Sequence, residues 1–590
     1  MEIWFHPARE LDAVVRAAAA RTTGFEGEFA PEIRPADPRH GDFQANGVLG
    51  FAKARQQNPR AMGTALAETL RADPALDAAL VQIDVAGPGF VNFKFTPAFL
   101  LAWLRKYRDE TAFREAAGGL YRGHTLVVDY PSPNAAKQMH IGHLRPMVIG
   151  EAIARLLQFC GAKVIRDNHI GDWGTNFGVL ILALKESGES INANPEAALV
   201  QLERLYKAGS AKAADKHGTW AEFARAELVK LQNGDLENTQ IWMKIVAASN
   251  QAADVMYELL GVTIENTLGE SFYRDKVARI YKELKDGGLA AESEGALVVF
   301  HPEHPRYKEQ PFIIRKSDGA SNYASTDLAT VLYRMENWKA DEIIYVTDGR
   351  QRDHFEQLFL TVDKWFRATN RTPPRLRHVW FGTILGEDGR AIKTKSGESV
   401  KLFEILAEAQ VRARAIVDEK NPDLPEAEKK NIARVVGLGA VKYADVRQDR
   451  TSDYEFAWNK LLALDGNTAP YLLYAVARIH SVFRKIGVPV DEAAREALAD
   501  GFTTPTEVAL ARKLAALPSV LDATLADLRP HFLCTYLYEL AGEFSAFYNA
   551  DRVMGEEKAV QARRLLLCAR TLRVLETGLR LLGLETLERM

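Results

Sequence analysis

Cysteine is scarce in this chain. Cys160, Cys534 and Cys568 are the only three among 590 residues, and no two have a paired spacing. A disulfide framework is excluded, and a cysteine-held zinc site nearly so. The expected setting is a reducing, cytoplasmic compartment. Also missing is any run of about 18 apolar residues, which excludes a membrane-spanning helix. The opening MEIWFHPARELDAVV lacks the basic-then-apolar pattern of a signal peptide. Neither sign of charge dominates: 75 basic residues face 78 acidic ones, for a net charge of −3. A uniformly basic coat for nucleic acid is thereby ruled out, though local patches are not. No internal repeat or low-complexity tract stands out. What the chain does have is length, too much for one core, so several domains are expected.

Three regions differ in pattern. Residues 1–113 mix helical segments with short strands. HGDFQANGVLGFAKA reads as a loop entering a helix, and VQIDVAGPGFVNFKF as a hairpin broken at Gly87-Pro88-Gly89. This suggests an accessory α+β domain. Residues 120–405 alternate strands with helices. HTLVVDY, KVIRDN, DEIIYVTD and RHVWFG are the strands, which predicts a Rossmann-type, doubly wound parallel sheet. A charged helical insertion interrupts it at about 185–255. From 406 to 590 the chain reads as almost entirely helical, amphipathic and leucine-rich.

The strand–loop–helix unit after residue 124 places a helix start at the C-terminal edge of the sheet, where such folds bind phosphates. No P-loop pattern occurs there. Instead the helix opens with His140-Ile141-Gly142-His143, two histidines i,i+3 on one face, with a glycine that admits a planar group. Paired imidazoles can donate to phosphate oxygens as charge develops during attack at phosphorus. Alternatives are two surface histidines or a zinc pair, the latter lacking a third ligand nearby. Some 250 residues on, the Gly386–Gly389 turn precedes Lys393-Thr394-Lys395-Ser396-Gly397. Lysines on such a loop can close over a polyphosphate, although alone the segment reads as a solvated basic loop.

With these two segments in this order, the chain resembles the class I aminoacyl-tRNA synthetases, and within them the arginyl family. His140–His143 stands intact inside the arginyl-type context Ser132-Pro133-Asn134-Ala135-Ala136-Lys137. NHIGDWGTNFG (168–178), LGESFY (268–273), NYASTDLA (322–329), YVTDGRQRDHF (345–355) and NTAPYLLYAVARI (467–479) match too, so the likeness covers nearly the whole chain. The second class signature is degenerate here and aligns in more than one register. Which lysine meets ATP is therefore open: Lys393 or Lys395, with Lys137 supplying part of the charge.

The resemblance implies ligation of arginine to tRNA(Arg), with ATP bound as its Mg2+ complex and no protein-bound zinc. It also implies a cytoplasmic monomer. His140, Gly142 and His143 would hold ATP. A guanidinium has five donors and no acceptor, so its pocket needs anionic acceptors. Asp327 and Glu270 lie within the matching segments, with Tyr323 shaping the slot. Asn134 and Gln351 resemble the family's contacts to the α-amino and carboxylate groups. The helical C-terminus would bind the anticodon. Residues 431–490 hold eight basic residues against five acidic ones, interleaved with tyrosines that include Tyr471 and Tyr474. The N-terminal domain resembles the extension that meets the tRNA elbow, with Phe43, Gln44 and Asn46 as readers. The cysteinyl branch of the class would expect a zinc site, which the scattered cysteines oppose.

Overall fold

The computed structural model describes every residue except Met1, Pro38, Lys216, His217, 393–399 and 491–500. Lys393 and Lys395 thus lie outside the described residues. The chain forms two compact units: residues 1–120 with 464–580 and 586–590, and residues 121–463 with 581–585.

The first unit contains an antiparallel sheet of β1 (Ile33–Pro35), β2 (Phe43–Ala45), β3 (Val81–Ala86) and β4 (Phe90–Phe95), in the order β1-β2-β4-β3. The β3–β4 hairpin pairs Val81 with Phe95 and Ala86 with Phe90. Its turn needs glycine twice. Gly87 has φ +57°, and a Cβ on Gly89 (φ +134°) would collide with the Pro59 carbonyl. The segment at 41–46, expected as a loop, contains β2, because Phe43 and Ala45 face inward between β1 and β4. Among the described residues the unit also contains five helices between Pro7 and Ala117, and helices Ala469–Ile486, Pro505–Ala515, Leu517–Asp527, His531–Ala550 and Lys558–Leu581. Arg512 Nε lies 2.9 Å from Asp42 Oδ1, and Arg570 Nε donates to the Leu104 carbonyl at 2.7 Å. These polar contacts join the N-terminal and C-terminal pieces in one unit.

The second unit is organised by β5 (Thr125–Asp129), β6 (Lys163–Asp167), β10 (Glu342–Asp348) and β11 (Arg375–Phe381). All pairs are parallel, in the order β11-β10-β5-β6, with Val127 opposite both Ile165 and Ile343. Helix Leu144–Phe159 connects β5 to β6, and helix Arg352–Ala368 connects β10 to β11. The order therefore reverses between β5 and β10. That reversal opens a crevice beyond their C-terminal ends, the usual ligand position in a doubly wound sheet. Behind it, Arg334 is fully buried between Asp129 at the end of β5 and Asp167 at the end of β6, with Asp167 at 2.7 Å. Removing one member of such a cluster costs about 3–5 kcal/mol, since it strands a buried charge.

Between the strands lie a three-stranded antiparallel sheet of β7 (Ala290–Ser293), β8 (Ala296–Val299) and β9 (Phe312–Arg315), and the helical insertion. The insertion expected at about 185–255 is built of four helices running from Thr175 to Leu260. Helices Leu402–Lys420 and Glu426–Val446, read from sequence as part of the C-terminal region, lie in the same compact unit as the sheet. Helical periodicity reveals a buried face without saying which core receives it. Here Asp445 pairs with Arg145 of the Leu144–Phe159 helix at 3.3 Å, both fully buried. Among the described residues, no helix is long and apolar enough to cross a membrane.

Candidate active site

At the mouth of β5, residues Ile141–His143 form a single 3-10 turn that leads into helix Leu144–Phe159. The Gly142 N–H donates to His140 Nδ1 (3.0 Å), and the His140 N–H donates to His143 Nδ1 (3.1 Å). The ring centroids are 4.1 Å apart. Because each Nδ1 accepts from backbone, each neutral ring carries its proton on Nε2. Burial, with His140 beside it, pushes His143 down to about 4. Burial and the cations of Lys401 and Arg350 lower His140 as well. Both rings are thus uncharged at neutral pH and arranged as donors. Gly142 is required by its neighbour, since a Cβ there would lie 2.8 Å from the His140 ring.

The other end of the crevice is acidic, and the segment 168–172 assembles it. Gly171 forms a parallel bridge with Asn134, and its N–H donates to the Pro133 carbonyl at 3.1 Å. A Cβ on Gly171 would collide with the Asn134 side-chain oxygen. The Glu270 N–H donates to the Ile170 carbonyl at 3.0 Å. The His169 Nδ1–H donates to the Leu268 carbonyl (3.0 Å), which places Nε2 3.9 Å from Asp327 Oδ1. Asp327 Oδ2 is bound by His354 Nε2 at 2.6 Å. Asn134, Glu270 and Asp327 are therefore gathered around one short segment, although they are far apart in sequence.

The two acids differ. Burial works against ionisation of Asp327, but His354 and then His169 hold it below the usual carboxylate range. Burial raises Glu270 to about 8, helped by the charges of Asp327 and Asp172. Asp172 itself is occupied: its carboxylate accepts from the Ser271 N–H (2.8 Å) and hydroxyl (2.6 Å). Trp173 packs at right angles to Trp242, under the Arg274 guanidinium. Tyr323 opens the helix that carries Asp327 one turn later, and at 72% exposure its ring leaves the slot open. Gln351 stands exposed in the turn Gly349–Gln351 at the end of β10. His169 and His354 had no role in the sequence reading. Their presence within the NHIGDWG and YVTDGRQRDHF segments was the available signal.

Lys137 lies in the loop before the histidines, exposed, with its ammonium 5.8 Å from the Tyr206 ring centre. The tRNA candidates fare unevenly. Phe43 is buried and packs edge-on against Phe95 at 5.9 Å. Gln44 donates to Asn92 Oδ1 at 2.7 Å on the half-buried face of the sheet, and Asn46 Oδ1 is buried. Tyr474 is exposed, whereas Tyr471 is partly covered by Tyr538. Of the interleaved tyrosines expected to face nucleic acid, Tyr443 and Tyr454 are core residues. Several of the basic residues between 431 and 490 are also spent internally: Arg434 on Glu585, Lys442 on the Leu260 and Gly583 carbonyls, and Arg450 on the Trp380 carbonyl. The charge excess in that stretch therefore does not amount to a free basic face.

Among the described residues, no group of three or more histidine, cysteine, aspartate or glutamate side chains stands together as a metal site. Three family models match the chain: "tRNA synthetases class I (R), catalytic domain" over residues 115–458, "DALR anticodon binding domain" over 472–590, and "Arginyl tRNA synthetase N terminal domain" over 9–95. An arginine–tRNA ligase of Chromobacterium violaceum is 43% identical over 98% of both chains. One from Azotobacter vinelandii is 44% identical over 94% of both. The solved arginyl-tRNA synthetase of Thermus thermophilus superposes with a TM-score of 0.82 at 25% identity, covering 99% of this chain and 100% of its own. With its sheet, signature turn and near-full-length likeness in agreement, the chain belongs to the arginyl family of class I aminoacyl-tRNA synthetases.

Proposed function

We propose that the chain is an arginine–tRNA ligase whose arginine slot lies between Asp327 and Glu270 and whose ATP site lies at His140–His143. The arginine carboxylate attacks the α-phosphorus of Mg–ATP. The new C(=O)O–P bond forms as the α–β bridge breaks, giving arginyl-adenylate and diphosphate. A terminal ribose hydroxyl of tRNA(Arg) then attacks the activated carbonyl and AMP leaves. Magnesium enters with the nucleotide as part of the substrate.

The Nε2–H groups of His140 and His143 donate to the α-phosphate oxygens as their charge grows. Neutral donors serve here because they need no reorganisation when the charge develops. Lys137 and a lysine of the 393–395 pair neutralise the departing diphosphate. Asn134 and Gln351 orient the α-amino and carboxylate groups, and Tyr323 closes over the guanidinium. Gln44 and Asn46, on the N-terminal sheet, read the tRNA elbow, with Phe43 supporting them from within. Tyr471 and Tyr474 belong to the anticodon-binding region. Residues 1–113 form the elbow-binding module, 120–405 the catalytic module and 406–590 the stem and anticodon module. The enzyme works as a cytoplasmic monomer.

One observation carries the substrate assignment. The slot holds a partly buried aspartate kept ionised by two histidines, with the carboxyl group of Glu270 beside it. That pair fits a planar cation with donors on two edges better than a point charge. Aminoacylation with each standard amino acid and total tRNA tests the reading. Arginine alone should be charged, and charging of another amino acid in its place would refute it.

A further inference from the structure

Lys401 is an unusual residue for its position. It is the N-cap of helix Leu402–Lys420, where its side chain makes no capping hydrogen bond. Oxygen-bearing side chains are favoured at that position, and a cation there faces the positive end of the helix dipole. The backbone around it is fixed. Lys401 forms an antiparallel bridge with His140, the Ile141 N–H donates to the Val400 carbonyl (3.0 Å), and the Leu402 N–H donates to the Met139 carbonyl (3.0 Å). Lys401 is therefore held against the signature turn by backbone alone, whatever its side chain does. It lines, together with Lys137, a cavity of about 210 Å³.

Its ammonium is engaged by Glu203, from insertion helix Pro195–Lys212, at 2.8 and 3.0 Å. That carboxylate is shared, since Lys207 also reaches it at 3.3 Å. Burial opposes ionisation of Glu203, and the Lys401 hydrogen bond reverses this, bringing it below the ordinary range. The pair is only partly buried, with side-chain exposures of 25% and 19%, so an entering anion can reach it. Lys401, Arg350 and Lys137 together make the surroundings of His140 electropositive. A locally unfavourable lysine, pinned beside a phosphate site and neutralised by a borrowed carboxylate, is a pattern expected of a functional residue.

Resting on the ATP site proposed above, we infer that Lys401 is a further triphosphate-contacting residue and that Glu203 competes with ATP for its ammonium. The helical insertion then acts as a brake on nucleotide binding. A phosphate oxygen takes the place of the Glu203 carboxylate on Lys401, and Glu203 keeps Lys207 as its partner. No bond is made or broken, only one charge-assisted hydrogen bond is exchanged for another.

The two partners must respond with opposite signs, which a structural clamp would not do. Initial rates of tRNA charging are measured against ATP at saturating arginine and tRNA, and against arginine at saturating ATP. Lys401→Ala should raise the KM for ATP by about tenfold or more, the worth of one charge-assisted contact, and move the arginine KM less than about twofold. Glu203→Gln should lower the KM for ATP by about threefold to tenfold. The double variant should match Lys401→Ala, because the brake has nothing left to hold. Lys401→Arg, which keeps the charge, should recover most of the ATP affinity. Should Lys401→Ala not fold, Lys401→Gln gives the same reading. An unchanged or raised ATP KM in Glu203→Gln, an unchanged one in Lys401→Ala or Lys401→Gln, or parallel shifts in both KM values would overturn the assignment. Wild-type protein that fails to charge tRNA with arginine would instead overturn the functional reading itself.

Discussion

At the end of the crevice proposed to take arginine, charge is in place in the empty site: Asp327 is ionised, partly buried and bonded to His354. At the end proposed to take ATP the donors are uncharged, two imidazoles whose tautomers are set by backbone N–H groups. The contrast follows from what each end must do. A guanidinium carries its charge throughout, so its partner can be a standing carboxylate. The α-phosphate already carries a negative charge, and the part that catalysis must favour is the further charge its oxygens gain during reaction, which preset neutral donors can meet. Selectivity and rate are thus assigned to different kinds of group in one crevice.

The sharpest way to break this contrast is at Asp327. Asp327→Asn keeps the volume but turns one acceptor into a donor facing a donor. It should lower kcat/KM for arginine by roughly 10²–10³-fold, since a buried charge is left poorly paired. The melting temperature should stay close to wild type, and a loss under about threefold would remove Asp327 from the slot. Next comes His143→Ala, which deletes one donor at the other end. Its effect should fall on kcat, about a hundredfold, the usual scale for one oxyanion donor. A change in the arginine KM alone would mean that the turn positions substrate and does not stabilise charge.

The pH dependence of arginine binding separates the two ends further. Glu270 titrates at about 8 in the empty slot, so at pH 7 it is mostly protonated and must lose its proton to pair with a guanidinium. Arginine affinity should therefore rise by about tenfold from pH 7 to above pH 9, with close to one proton released per arginine at pH 7. Calorimetry in buffers of different ionisation enthalpy reads that proton directly, and Glu270→Gln should abolish it. His143 gives the opposite edge. With its folded value near 4 and an unfolded value near 6.5, the neutral ring contributes stability in full above pH 6.5, which is lost as pH falls toward 4. The smallest effect is expected from His354→Gln. An amide donor still reaches Asp327, but less rigidly, so the arginine KM should rise about threefold to tenfold while kcat holds. A fall in kcat with KM unchanged would give His354 some task other than orienting the carboxylate.

The features legible in the sequence were those set by local order. The strand–turn–helix around His140, the four strands of the parallel sheet and the β3–β4 hairpin each have a short-range signature of alternation, glycine or helical stripe. Asp327 and Glu270 were visible because their segments match a family. Their histidine partners were not, because His169 and His354 meet Asp327 only after one loop and two helices converge, and an isolated histidine has no pattern of its own. Which core the helices between 402 and 446 would join was not legible for a related reason. Its helices look like those that follow, and only the buried Arg145–Asp445 pair shows which core they join. Likewise, alternating tyrosines and basic residues suggested a nucleic-acid face where Tyr443 and Tyr454 fill the interior.

The joining of residues 1–120 to residues 464–580 in one unit has a consequence for biosynthesis. The carbonyl of Leu104 and the carboxylate of Asp42 meet their arginine partners, Arg570 and Arg512, only after residues 121–463 have been made. At about 5–20 residues per second, that interval lasts roughly 17 to 70 s on the ribosome. Throughout it the emerging N-terminal segment must stay folded on the strength of its own small sheet, or be shielded by a chaperone, with one apolar side still open. Selection on the interior of β1–β4 therefore acts on the nascent chain as well as on the finished enzyme. Slower translation of the middle of the message would lengthen the exposure without altering a single residue.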